Sequence, residues 1–298
     1  MKNKILITGA NGFMGQHLIK FLKEKNFNIA ASSRGVSRLP KEWDVDFFSC
    51  NITNENEVES LINKTKPNII VHTAALSKPD ECENNKEHCL QVNVKATEYL
   101  LQHAKRVHQN VFFIYISTDF IFGENGPHSE HNIPYPLNFY GESKLRAEAF
   151  VKRNATNYCI VRPVFMYGKI WEGLRPTFLH WVKKNLEENK SIKVVSDQLR
   201  TPTFIDDLST GIEKIIATKS TGVFHVAGKD IISPYNMAIT VATFLNLNKN
   251  LIENVNSDTF PEPVKRAKKS GLKINKAIEQ LHYNPMSFEE GVRKTFSL

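Results

Sequence analysis

The sequence predicts an α/β protein, with a doubly wound parallel sheet followed by a smaller C-terminal α/β domain. Three observations carry this. Short apolar runs alternate with amphipathic stretches throughout the first half. A glycine-rich turn ends the first run and opens the first stretch. The rhythm loosens near residue 165, where proline-bearing segments begin.

The runs Lys4–Thr8, Asn28–Ser33, Val45–Cys50, Asn68–Ala74, Val111–Ser117 and Asn157–Arg162 have strand length and little polar interruption. Strands buried on both faces read this way. Between them, Gly12–Lys25, Glu55–Lys64, Cys89–Val107 and Gly141–Arg153 have helical spacing, with Phe13, Leu18, Ile19 and Leu22 on one face of the first. Such alternation requires right-handed crossovers and helices on both sides of the sheet. Residues 1–165 are therefore expected to form the sheet domain and residues 166–298 the smaller one. Gly222–Ala227 is strand-like enough to rejoin the first sheet, which would make the boundary discontinuous. The proline-bearing segments are Arg175–Thr177, Arg200–Thr203 and Thr259–Pro263.

Of the 298 residues, 41% are hydrophobic and 23% charged, the balance of an ordinary globular protein. Neither repeats nor low-complexity tracts occur, which argues against solenoids and disordered arrays. Runs such as Ile69–Val71 and Val111–Ile116 are too short to span a bilayer, and only Ile5–Ile7 precede the glycine turn, too little for a secretory core. A cytoplasmic protein without membrane association is expected.

Cys50, Cys82, Cys89 and Cys159 form no CxxC pair and read as inert thiols. The formal charge of +8 is spread along the chain, with one cluster at Lys265, Arg266, Lys268 and Lys269. An anionic small-molecule substrate accounts for it, and no nucleic-acid-binding signature appears. His128 and His131 read as a solvated loop, so no metal is expected; His72 reads as packed. Asp206 and Asp207 read as helix-capping and surface charges.

In the turn Thr8-Gly9-Ala10-Asn11-Gly12-Phe13-Met14-Gly15, each glycine has a task. Gly9 permits the tight turn, Gly12 lets the backbone approach a pyrophosphate, and Gly15 lets helix and strand pack closely. The helix N-terminus then receives the phosphates of a dinucleotide. This is the Rossmann context. The second strand ends in Ser32-Ser33-Arg34 and lacks the acid that would hold a ribose 2′-hydroxyl. Arg34 and Ser33 suit a 2′-phosphate instead, so NADP(H) is expected over NAD(H). NAD(H) stays open if Arg34 is only a solvated loop arginine.

Tyr140 and Lys144 form a YxxxK pair at the start of a predicted helix and share one helix face. The lysine charge is expected to lower the phenol pKa from its usual value near 10. Ser117-Thr118-Asp119 closes the fifth strand at the sheet edge where such folds bind ligands. Thr118 can hydrogen-bond a substrate carbonyl there.

The order TGANGFMG, HTAALSKPDECE, ISTDFIFG, YGESK, VRPVFMYG, DQLRTPTFIDDL and VKRAKKSGL resembles the extended short-chain dehydrogenases/reductases. Within them it is most similar to the dTDP-4-dehydrorhamnose reductases, over nearly the whole chain. The resemblance implies reduction of the C4 keto group of a nucleotide-linked deoxysugar, with Thr118, Tyr140 and Lys144 as the catalytic trio. It implies that Ala74 and Ala75 line the cofactor cleft, that Asn51 and Ile52 lie near adenine, and that Asn93 supports the site. Asn51 stands where the family usually has Asp. Phe165 falls where these reductases often carry a tryptophan near the sugar. Arg200, in the DQxxxPT element, and Arg266, in a segment usually read as RPxxSxL, would bind the diphosphate beside Thr118 and Asp119; a structural salt bridge is the alternative for each arginine. Ala267 replaces that second element's proline.

Two other readings stay open. A sugar-nucleotide epimerase needs the same trio and a retained cofactor. A non-catalytic NADP-binding subunit, like the regulatory subunit of methionine adenosyltransferase, would act by binding a partner. A 4,6-dehydratase is disfavoured because Asp119 is followed by Phe120 and not by Glu. The sequence leaves a homodimer open.

Overall fold

The computed structural model describes residues 3–171, 173–260 and 264–297. Part of the expected segment Thr259–Pro263 lies outside these. The first half runs β1 (Lys4–Thr8), α1 (Phe13–Glu24), β2 (Asn28–Ser33), β3 (Asp46–Ser49), α2 (Glu55–Thr65), β4 (Ile69–His72), α3 (Pro79–Asn84), α4 (Lys86–Leu90), α5 (Ala96–Val107), β5 (Phe112–Ile116), α6 (Phe139–Asn154) and β6 (Asn157–Arg162). The second half runs β7 (Met166–Tyr167), α7 (Phe178–Glu187), β8 (Ile192–Val195), β9 (Thr203–Phe204), α8 (Ile205–Thr218), β10 (Gly222–His225), α9 (Pro234–Phe244), β11 (Ile252–Val255), α10 (Asn275–Leu281) and α11 (Phe288–Phe296).

Seven parallel strands form the main sheet in the order β10-β6-β5-β4-β1-β2-β3. The strands are apolar along their length because alternate residues feed two cores. Ile5, Ile7, Val71, Ile114 and Val161 enter the core that holds α1 and α8. Leu6, Ile70, Phe113, Tyr115 and Ile160 enter the opposite core, with residues of α2, α5 and α6. The strand order reverses between β1 and β4, which opens a crevice at their carboxyl ends.

A third core joins Leu179, Val182 and Leu186 of α7 to Met237, Ala238 and Val241 of α9, beside the β8–β11 pair. The strand Gly222–His225 lies outside that group and hydrogen-bonds β6 at one edge of the main sheet.

Two local features differ from the sequence expectations. The stretch 89–107 is not one regular helix: a π-helical turn over Gln91–Lys95 joins α4 to α5. Such turns are frequent at functional sites. Asp207 is a buried group and neither caps the helix nor sits on the surface; its carboxylate accepts from the Met286 amide at 2.9 Å, and burial pushes its pKa up to about 6.

Candidate active site

The crevice at the β1/β4 switch is a cleft of about 440 Å³. Gly9 has φ +72°, and a Cβ there would stand 2.7 Å from the Ala74 amide nitrogen. A Cβ on Gly15 would stand 2.3 Å from the Gly9 carbonyl oxygen. Gly12 begins α1, whose first turn has no side-chain cap. Its amides therefore face the cleft with their hydrogen-bonding capacity uncommitted to a cap, which fits a pyrophosphate.

Gly9, Gly12, Phe13, Met14, Gly15, Ser33, Arg34, Asn51, Ile52, Ala74, Ala75, Tyr140 and Lys144 all line the cleft. Asn11 shapes it from outside. Its Nδ2 donates to the Val36 carbonyl at 2.8 Å and its Oδ1 accepts from the Arg38 amide at 2.8 Å, which ties the glycine turn to the loop after Arg34. Ser117, expected at this edge, lines the cleft; Thr73 and Met166 line it too and were not anticipated from sequence. Each directly follows β4 or β5 or lies just beyond β6, so the rule that ligands sit at strand carboxyl ends was the available signal.

Asn138 caps α6 by accepting from the Gly141 amide, which puts Tyr140 in the first turn and Lys144 one turn later. Both side chains are buried. The Lys144 ammonium lies 4.2 Å from the centre of the Tyr115 ring. Burial pulls its pKa down to about 7, against the opposing influence of Glu148 and of Cys89 and Cys82. Burial also raises the Tyr140 phenol well above 10, only partly offset by a hydrogen bond with Thr118. The lowering expected from Lys144 is not found: burial sets the direction, Asp119 and the two cysteines add to it, and the phenol keeps its proton at neutral pH.

Asn93, in the π turn, braces this pair. Its Oδ1 accepts from the Leu76 amide at 2.8 Å, and its Nδ2 reaches the Leu76 carbonyl at 3.1 Å and Ser143 Oγ at 2.9 Å. His72 is packed between Thr8 Oγ1 at 2.7 Å and Thr97 Oγ1 at 3.1 Å, and burial drives it neutral, with a pKa of about 3. His128 stacks on Phe122 with ring centres 4.5 Å apart.

Beside the cleft, Asp119, Arg200, Arg266 and Ser270 line a small second pocket. Thr118 Oγ1 donates to Asp119 Oδ1 at 3.3 Å, and Ser270 Oγ donates to Asp119 Oδ2 at 3.0 Å. Arg200 donates to Ser270 Oγ at 2.9 Å, the Ala267 carbonyl at 2.7 Å and Gln198 Oε1 at 2.9 Å. Burial raises the Asp119 pKa, and the Arg200 charge opposes it. Arg266 reaches across to Asp80 at 3.0 Å. Both arginines face the expected place and both are engaged by protein groups. Phe165, with φ +35°, packs edge-to-face on Phe178 at 5.8 Å between two cores and lines neither cavity. An aromatic residue in this left-handed region is strained.

A family model for the RmlD substrate binding domain matches residues 2–297. The chain belongs to this family. Among its relatives, methionine adenosyltransferase 2 subunit beta of Bos taurus is 32% identical over 250 residues, covering 82% of this chain and 72% of the relative. The dTDP-4-dehydrorhamnose reductase of Aggregatibacter actinomycetemcomitans is 28% identical over 305 residues, covering 97% of each. The crystal structure of dTDP-4-dehydrorhamnose reductase from Bacillus anthracis, in complex with NADP, superimposes with a TM-score of 0.87 at 29% identity, covering 99% of each chain. The parallel sheet of this RmlD-family chain is therefore that of the extended short-chain dehydrogenases/reductases, and among the described residues no helix is long and apolar enough to cross a membrane.

Proposed function

We propose that this protein catalyses NADPH-dependent reduction of the C4 keto group of a nucleotide-linked deoxysugar, as a dTDP-4-dehydrorhamnose reductase does. The observation that carries the reading is geometric: Tyr140 and Lys144 stand one helical turn apart on α6 and both line the cleft that the glycine turn opens. A ketone reductase needs a proton donor at that place, and a phenol that keeps its proton at neutral pH is one.

When bound, NADPH supplies the hydride that reduces the carbonyl carbon. Tyr140 donates its proton to the carbonyl oxygen. Thr118 orients that oxygen, and the Lys144 ammonium holds the nicotinamide ribose. Arg34 and Ser33 hold the 2′-phosphate, Asn51 and Ile52 flank the adenine, and the uncapped first turn of α1 receives the pyrophosphate. Asp119, Arg200 and Arg266 line the sugar-diphosphate side; Phe165, packed on Phe178 away from both cavities, has no direct part in it. Residues 1–165, with the strand Gly222–His225, make the cofactor-binding part; the rest of residues 166–298 make the substrate side.

The test is NADPH oxidation with dTDP-4-dehydrorhamnose, wild type beside Tyr140→Phe. Rapid oxidation is expected for the wild type, with a loss on the order of 10²–10⁴-fold in the variant and unchanged NADPH affinity. Equal rates in the two proteins refute the role of Tyr140.

The 32% identity to methionine adenosyltransferase 2 subunit beta favours a second reading, an NADP-binding subunit that acts on a partner enzyme. Tight NADPH binding with no oxidation of any sugar nucleotide, together with a stoichiometric partner in pull-downs, would establish it instead. An epimerase would interconvert C4 sugars with no net NADPH consumption.

A further inference from the structure

Beneath the Tyr140–Lys144 pair lies a charged layer that the proposed chemistry leaves unused. Glu148 follows Lys144 by one turn of α6 and is fully buried. Arg162 of β6 grips its carboxylate twice, from Nε to Oε1 at 2.9 Å and from Nη2 to Oε2 at 2.6 Å. Arg162 is buried too; its Nη1 lies 3.2 Å from Nε2 of His225 on β10, and its guanidinium lies 5.2 Å from the Phe122 ring centre.

A buried ion pair is a poor stabiliser. Taking both charges out of water costs about what their attraction returns, and an apolar pair of similar volume often does better. Its place directly under a catalytic lysine suggests another use.

We propose that Glu148 is a positioning residue for Lys144: its carboxylate, locked by Arg162, holds the lysine ammonium charged and aimed into the cleft. The proposal rests on the reading of Lys144 as part of a reductase site. Residues four apart on a helix have Cβ atoms roughly 5–6 Å apart, so the two side chains are neighbours. The other groups facing Lys144 are Tyr140 on its own helix, the Tyr115 ring from β5, His72 from β4, Cys82 from α3 and Cys89 from α4. Of these, His72 is neutral and Tyr140 and Tyr115 keep their protons. Cys89, drawn down to about 7 chiefly by its hydrogen bond with Cys82, is the group among these that titrates near neutrality and adds negative charge beside Lys144. Burial works against ionised Glu148, but the Arg162 hydrogen bonds and charge, with smaller help from Ser117 and from the Lys152 ammonium 3.5 Å away, outweigh it and hold its pKa below the ordinary value. Glu148 is therefore a permanent anion at a fixed place.

The experiment follows the Lys144 side-chain amine by NMR of lysine-labelled full-length protein, its signal assigned by its loss in Lys144→Arg. In Glu148→Gln the titration midpoint is expected to fall by about one pH unit or more. The descending limb of kcat against pH should move to lower pH with it, because the active form carries the charged lysine. Glu148→Asp should restore part of the movement. Glu148→Gln leaves Arg162 unpaired, so Glu148→Gln/Arg162→Met, which removes both charges, provides a second fold-competent variant; the same downward movement is expected. An unchanged Lys144 midpoint in the folded variants overturns the proposal whatever the substrate. A shifted midpoint in a protein that reduces no sugar nucleotide upholds the control of Lys144 by Glu148 and overturns the proposed reaction instead.

Discussion

The cleft at the β1/β4 switch and the small pocket around Asp119 open on the same edge of the sheet, yet they differ in what their polar groups already hold. The cleft offers about 440 Å³ and an uncapped helix terminus. The pocket offers about 10 Å³, and its arginines bond backbone carbonyls, Ser270, Gln198 and Asp80. The first side is preorganised for its ligand. On the second side, a sugar diphosphate would have to exchange existing protein contacts for its own, so substrate binding there should be coupled to rearrangement.

The largest effect is expected on the preorganised side. Gly15→Ala places a methyl group 2.3 Å from the Gly9 carbonyl, a contact that only movement of α1 or the turn relieves. NADPH affinity measured by fluorescence titration should fall by at least about 100-fold, and thermal stability should fall with it. Gly35→Ala is the control. Gly35, unlike Gly15, has positive φ, at +77°, and its Cβ would meet nothing within 4 Å. Only backbone strain of about 1–2 kcal/mol is expected there. Equal losses in the two variants would show that the close approach adds nothing to the cost of a side chain, and the close-approach argument for Gly15 would fail.

On the committed side, the two arginines should separate. Arg200→Met removes the donor that ties Ala267, Ser270 and Gln198 together and leaves buried Asp119 without its opposing charge. A loss of about 3 kcal/mol in urea unfolding is expected. Arg266→Ala breaks an ion pair whose side chains are 22% and 46% exposed, so less than about 1 kcal/mol should be lost and the change should appear in KM. Equal stability losses would undo the distinction. Between these two in size is Arg34→Ala, which should raise the NADPH Kd roughly tenfold, about 1.4 kcal/mol, and leave NADH unchanged.

The same contrast explains what could be read without coordinates. The glycine turn, Arg34, and the Tyr140–Lys144 spacing are local signals, because each role depends on residues a few positions apart. They all line the cleft. Arg200 is joined to Ser270 across a sequence separation of 70, and Arg266 to Asp80 across 186. No window of sequence shows that such donors already have partners. The sign of the Tyr140 perturbation failed for a related reason: spacing announces a neighbouring lysine, whereas burial depends on everything packed around the ring. The Glu148–Arg162 pair, only 14 residues apart, was hidden too, since it joins a helix to the end of a strand through the core.

Burial of Lys144 makes the last prediction a matter of pH. Its folded pKa is about 7, below its value of 10.5 in the unfolded chain. Between these values the unfolded chain binds the extra proton, so the lysine's contribution makes stability rise as pH rises through that window. Below about 7 both states are protonated and the full cost of burying the ammonium remains. Tyrosines and cysteines with raised pKa values act in the opposite sense in the alkaline range, so wild type alone would not isolate the lysine. The difference between wild type and Lys144→Met does. The variant should be the more stable at pH 6 by a few degrees in Tm, and the gap should close toward pH 10. A gap that is absent at pH 6 would mean that Lys144 is not strained by burial, and that the glutamate beneath it fully compensates the lost water.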